Sequence, residues 1–324
     1  LKEIFDQQHF INESLASKVD HVAPLLEQYE RIDIIAAGTS YHAGMLLSHL
    51  LSEKGKRSQA FIASDYPFVA KPDEKTLLIA ISQSGETADV LQAMRYAGKS
   101  RKIAITNVVG STITRISDET IYLNTGPEIG VAATKTFTAQ LAVIYKLIYG
   151  KEKLDKLPEI IGKMLEAENH IKEIAAKLAG KEHAFFIARG RNVPIAWEGS
   201  LKFKEITYIH SEAYPGGELK HGTLSLITDG TPIIALAPRD ESLQKLFGNI
   251  KEAKARGALV VALTNDDDVK KESDFTVELP KEMDPVLHPF ALIIPLQLLA
   301  YHVSVLKGIN PDRPRHLAKS VTVE

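Results

Sequence analysis

Residues 76–87 read Thr-Leu-Leu-Ile-Ala-Ile-Ser-Gln-Ser-Gly-Glu-Thr. The first six carry no charge and are almost wholly apolar, and then the chain changes character within one residue to hydroxyls, an amide and a glycine. An unbroken apolar run of that length, closed by turn residues, is the pattern of a strand buried on both faces, as strands are in a parallel sheet. Residues 87–97 then take up a helical pattern. Upstream, Ile32-Asp33-Ile34-Ile35-Ala36-Ala37 repeats the design. It is closed by Gly38 and followed by a helix with Ala43, Leu46, Leu47 and Leu50 on one face. Downstream, Lys102–Asn107 is a third strand. Strands alternating with helices predict a doubly wound parallel α/β sheet.

The pattern then starts again. Phe185–Gly190 matches the strand and glycine at 34–38, and Thr231–Leu236 matches Thr76–Ile81. Ala262–Asn265 mirrors Ala104–Asn107, Ser273-Asp274 mirrors Ser117-Asp118, and Gln297–Ala300 mirrors Gln140–Ala142, each about 157 residues on. One α/β unit present twice accounts for offsets that agree at separate places. The expected organisation is a helical segment over 1–30, a first domain over 31–153, a helical connection over 154–181, a second domain over 182–308 and a tail over 309–324. About two domains is also what 324 residues suggest.

Composition narrows the function classes. The chain has no cysteine, which excludes disulfides, thiolate metal sites and a cysteine nucleophile. Lys and Arg number 39 against 41 Asp and Glu, a balance that argues against a general nucleic-acid binder. No apolar run approaches the roughly 20 residues of a membrane span. No His, Asp and Glu set has metal-ligand spacing, so no metal is expected. The chain begins with Leu1 and shows no leader pattern, so the expectation is a cytoplasmic protein and a piece of something longer.

Four stretches carry candidate chemistry. Ser82-Gln83-Ser84-Gly85-Glu86-Thr87 lies where a strand ends and a helix opens, the place at which open parallel sheets bind ligands. Its hydroxyls and unpaired backbone N–H groups suit a phosphate, and Gly38-Thr39-Ser40 is a second such turn. Plain helix capping by Ser and Thr is the alternative. Neither turn is a Walker loop or a dinucleotide fingerprint. The matching turns of the second copy, Gly190-Arg191-Asn192 and Pro238-Arg239-Asp240, lack these hydroxyls, which assigns phosphate binding to the first copy. The helix Pro194–Tyr208 places Glu198, Lys202 and Glu205 on one face, either as a solvated ion-pair ladder or as an acid and a base for one substrate. Gly217-Glu218-Leu219-Lys220-His221-Gly222 puts an imidazole on a glycine-flanked loop, able to relay protons or simply to face solvent. In the tail, apolar Leu317, Val321 and Val323 flank Lys319 and predict docking, and a docked lysine loses solvation and gains nucleophilicity. Asp266-Asp267-Asp268 reads as a loop and helix cap.

In this order the stretches resemble the isomerase part of the glucosamine-6-phosphate synthases, or glutamine–fructose-6-phosphate aminotransferases. The resemblance rests on Ala37–Tyr41, Ser82–Thr87, Gly126-Pro127-Glu128-Ile129-Gly130-Val131-Ala132, Glu198–Glu205, Gly217–Gly222 and Pro314–Glu324, and it covers essentially the whole chain. Ser-Gln-Ser-Gly is common to sugar-isomerase (SIS) domains, whereas the Leu-Lys-x-Lys-Glu helix and the tail are more specific. The resemblance implies two tandem SIS domains, each a flavodoxin-like parallel sheet flanked by helices, in a homodimer without a cofactor. It implies that Ser40, Ser82, Gln83, Ser84 and Thr87 hold the phosphate of fructose-6-phosphate, while Thr39, Val131 and Ala318 line the sugar. His221, reaching in from the partner subunit, would help open the ring. Lys319 would form an imine at C2, and Glu205, assisted by Lys202, would move a proton between C1 and C2. The expected product is glucosamine-6-phosphate when a glutaminase domain supplies ammonia and glucose-6-phosphate otherwise. Ala133 stands where the family commonly has Ser, and Pro215-Gly216 where alanines are frequent. The competing expectations are a stand-alone SIS isomerase or glucosamine-6-phosphate deaminase, and a non-catalytic sugar-phosphate sensor.

Overall fold

The computed structural model describes residues 1–320 of the 324. The chain forms two compact units. One comprises Leu1–Phe5 with Glu159–His316; the other comprises Asp6–Pro158 and the tail from Leu317. Val321 and Val323 lie outside the described residues.

The unit built around Asp6–Pro158 carries β1 (Arg31–Ala36), β2 (Arg57–Ile62), β3 (Thr76–Ile81), β4 (Arg101–Thr106) and β5 (Glu119–Tyr122). They form one sheet in the order β2-β1-β3-β4-β5, with every pairing parallel. All six residues of β3 are buried, which is why the sequence there is apolar from Leu77 to Ile81 rather than alternating. Asp33 sits inside β1 without penalty because Arg31 and Tyr66 both donate to it at 2.8 Å. The faces are covered by the helices Gly38–Glu53, Ala88–Tyr96 and Lys135–Tyr149. Residues 1–30, expected to be helical, contain three short helices rather than a long one: Lys2–Phe5, Gln7–Leu15 and Ala23–Gln28.

The second unit repeats the plan. Its strands are β6 (His183–Ala188), β7 (His210–Pro215), β8 (Pro232–Leu236), β9 (Leu259–Thr264) and β10 (Phe275–Glu278). They are ordered β10-β9-β8-β6-β7, again all parallel. Read from the other edge this is the first sheet's topology. The helix Val193–Thr207 packs on the helix His288–Leu306. A Cβ on Gly199 would come within 2.6 Å of Leu296 Cδ1, so the glycine permits that close approach. Contrary to the expectation that no apolar run approaches a membrane span, the segment Pro285–Leu306 is long and apolar enough to cross a bilayer. Its burial against neighbouring helices identifies it as a core helix. The stretch expected as a helical connection holds two helices, Leu157–Glu166 and Glu168–Leu178. Asp266 caps Asp267–Glu272 by accepting from the backbone N–H groups of Asp268 and Val269.

Candidate functional site

In the first sheet, β1 and β3 are neighbours on either side of the point where strand order reverses, with β2 outside β1. Both hydroxyl-rich turns leave the carboxyl ends of these two strands, at the switch point where ligand crevices form. Gly38 takes φ +54°, which lets the chain pass from strand to helix within one residue. Ser40 therefore lies inside the first helical turn rather than at the cap. It is buried, and its Oγ accepts from Gln140 Nε2 at 2.9 Å.

The Ser82–Thr87 turn is held from several sides. Ser82 Oγ lies 3.0 Å from Thr87 Oγ1 and accepts from the Gly85 N–H at 3.1 Å. Ser84 Oγ accepts from the Glu86 N–H at 3.2 Å. The backbone carbonyls of Gln83 and Gly85 accept from the N–H groups of Asn107 and Ile113. Gly85 has φ +68°, and a Cβ there would meet Ser111 Oγ at 2.2 Å. Thr87 precedes the helix Ala88–Tyr96 but its hydroxyl makes no capping bond. Capping therefore does not explain this residue, whose hydroxyl faces Ser82 across the turn. Glu86 turns to the next helix and accepts from the Thr112 N–H at 2.7 Å, a bond that holds its carboxyl below the usual range.

A third segment joins this unit's site. Between β5 and the helix Lys135–Tyr149 the chain runs irregularly through Pro127–Ala133, and Thr125 is tied to Asn107 at the end of β4. Val131 is half-buried and Ala318 is exposed. Glu128 is buried within the segment. Its Oε1 accepts from the N–H groups of Thr134 (2.9 Å) and Thr136 (3.1 Å), and its Oε2 from Thr136 Oγ1 (2.7 Å). Its last partner is Lys319 Nζ, which forms an ion pair with Oε2. Burial pushes the Glu128 carboxyl up, but the Lys319 charge and these hydrogen bonds outweigh it and leave the group below its ordinary value. Sequence reasoning had Glu128 inside a quoted motif but gave it no role. No local signal marks it, because its partner lies 191 residues away.

The other unit holds Glu198, Lys202, Glu205 and His221. The stripe on Val193–Thr207 is not a solvated ladder. Glu198 is fully buried and Lys202 2% exposed. Lys202 Nζ stands 2.6 Å from Glu205 Oε2 and 3.5 Å from Glu198 Oε1. Glu205, with its side chain 21% exposed, is the member of the cluster that reaches solvent. A lysine between two carboxylates, one of them accessible, can hand a proton to or from a bound molecule. The loop Gly216–His221 is a run of 3₁₀ helix anchored by buried Leu219 and by Lys220, which pairs with Glu252 at 2.7 Å. His221 closes that run in an exposed position, and Gly222 follows with φ +144°. Near the end of the unit's chain, the Arg315 guanidinium lies 4.2 Å from the Tyr208 ring centroid, and the Arg315 backbone N–H donates to Tyr208 Oη at 2.7 Å. The tail is thereby docked up to that residue.

The SIS domain family matches residues 25–149 and 177–307. The glutamine–fructose-6-phosphate aminotransferase [isomerizing] of Pyrococcus horikoshii is 47% identical over 100% of this chain, and that of Aquifex aeolicus is 40% identical. The chain spans 57% of the length of each of these relatives. Among solved structures, the C-terminal domain of glucosamine-fructose-6-phosphate aminotransferase from Francisella tularensis superposes with a TM-score of 0.88 at 36% identity. That match covers 96% of this chain and 97% of the other. Glucosamine-6-phosphate deaminase from Thermotoga maritima shares the fold, with a TM-score of 0.78 at 24% identity.

Proposed function

The chain belongs to the SIS domain family, and within it to the group formed by the C-terminal domains of glutamine–fructose-6-phosphate aminotransferases; on that premise we propose that it isomerises fructose-6-phosphate. The phosphate is held by Ser40, Ser82, Gln83, Ser84 and Thr87, and the sugar lies along Thr39, Val131 and Ala318. His221, supplied by the partner subunit of a homodimer, helps open the ring. The Lys319 amine attacks the C2 carbonyl and expels water, leaving an imine; ammonia, or water in its absence, then adds at C2 and displaces the lysine, which frees Lys319 before the proton moves. Glu205 removes a proton from C1 and returns it at C2, with Lys202 holding the carboxylate in place and sharing its charge. When the displacing group is ammonia, from a glutaminase domain assigned to the part of the longer relatives beyond this chain, C2 keeps that nitrogen through the proton shift and the product is glucosamine-6-phosphate. Without it the product is glucose-6-phosphate. A sugar-phosphate substrate places this work in the cytoplasm.

The observation that carries the reading is the buried Glu198–Lys202–Glu205 cluster. A sensor needs the hydroxyl turns and nothing more, whereas burying Glu198 and Lys202 without chemistry to perform is costly. The test is direct. The chain is incubated with fructose-6-phosphate, alone and with ammonium, and the products are separated. Glucose-6-phosphate in the first case and glucosamine-6-phosphate in the second are expected. Binding without either product would return the chain to the sensor reading.

A further inference from the structure

Glu128 has no part in the chemistry described so far, yet it is a fully buried carboxylate aimed at the amine on which the imine would form. We propose that Glu128 is a positioning residue that serves as the counter-ion of Lys319, both for the free ammonium and for the protonated imine made from it. The inference rests on the reading of Lys319 as the imine-forming lysine.

The argument begins with charge balance. Imine formation from the ammonium converts R–NH3⁺ and O=C2 into R–NH⁺=C2 and water. The N–C2 bond forms, the C2–O bond breaks, and the two protons lost by nitrogen leave in the water. One positive charge stands on the nitrogen before the step and one after it. A carboxylate that pairs with the first form is therefore in place to pair with the second without moving.

The geometry suits that duty. Glu128 cannot swing to follow a moving partner, because the N–H groups of Thr134 and Thr136 and the Thr136 hydroxyl fix both oxygens. The neighbouring cation on this stretch, Lys135, is committed elsewhere, with its ammonium 4.3 Å from the Phe10 ring centroid. At a buried site the attraction between a carboxylate and an iminium is worth far more than in water. The protonated imine is also the useful form, since it makes C2 the stronger electrophile for the ammonia or water that releases the lysine.

Cyanoborohydride reduces the iminium and not the neutral imine, so it reads the proposal. Fructose-6-phosphate and cyanoborohydride are added across neutral and alkaline pH, and the Lys319 adduct is measured by peptide mass spectrometry. In the parent protein the adduct should persist to alkaline pH. In Glu128→Gln it should fall away at lower pH, by about tenfold at the alkaline end, with affinity for the sugar phosphate retained. Thr136→Val removes a hydrogen bond but no charge and should keep the parental pH profile, as should Glu128→Asp at lower yield. An unchanged profile in Glu128→Gln would overturn the counter-ion. So would an equal, pH-independent loss in Glu128→Gln and Thr136→Val, which would make Glu128 a structural brace.

No adduct in the parent protein would instead defeat the imine reading, and this inference with it. If Glu128→Gln does not fold, Lys319→Met supplies the answer. It strands a buried carboxylate, so its melting temperature should lie below the parent's at neutral pH and converge with it as Glu128 becomes protonated in acid. Equal melting at every pH would show that no ion pair exists to serve.

Discussion

Gly85 shows how closely the hydroxyl-rich turn Ser82–Thr87 is built. Its backbone is left-handed and a Cβ would collide with Ser111 Oγ at 2.2 Å. Gly85→Ala should cost at least about 1–2 kcal/mol from the backbone alone, and it should weaken sugar-phosphate binding more than it lowers the melting temperature. Calorimetric titration of the variant with fructose-6-phosphate checks this. Glu205→Gln tests the proposed base. It keeps the shape and removes the base, so affinity for fructose-6-phosphate should survive while turnover falls about a hundred- to ten-thousandfold. Unchanged turnover would move the base elsewhere. Lys202→Met leaves fully buried Glu198 without its cation, and denaturant melts should show a loss of about 3–5 kcal/mol.

At the scale of elements, the strands divide by legibility. The runs Ile32–Ala37, Thr76–Ile81 and Lys102–Asn107 correspond to β1, β3 and β4 to within a residue, because central strands are apolar on both faces. The edges were missed. β2 alternates between exposed and half-buried positions, and β5 and β10 are four residues each. An element in contact with solvent on one side carries a weak signal. The long helix His288–Leu306 opens on a buried histidine. Burial lowers the His288 pKa from 6.5 to about 4, against the attraction of Asp240 and with the repulsion of Arg191, while Asp284 and Glu241 also face it. The folded form thus binds its proton less readily than the unfolded chain. Stability is full above pH 6.5 and is lost as pH falls from 6.5 toward about 4, by about 3 kcal/mol in all. Acid melts of His288→Leu should be flatter through that window than those of the parent protein.

At the scale of the whole molecule, the prediction concerns the dimer. If His221 completes a partner's site, Glu205→Gln and His221→Ala should each be inactive alone, yet mixing and re-assembly should restore about a quarter of the parental activity, because half the dimers would hold one intact site. No recovery in re-assembled dimers would place His221 in the site of its own chain. The sequence by itself determined the α/β class, the repeat of about 157 residues and the residue types of the hydroxyl-rich turns, since periodicity and strand-end chemistry are local properties. Only the tertiary structure decided that Glu198 and Lys202 of the charged stripe are buried, with Glu205 half-buried beside them, and that Lys319 faces Glu128. The physical reason is the same for both. Burial and charge pairing depend on what the rest of the chain brings alongside, here a glutamate 191 residues from its lysine.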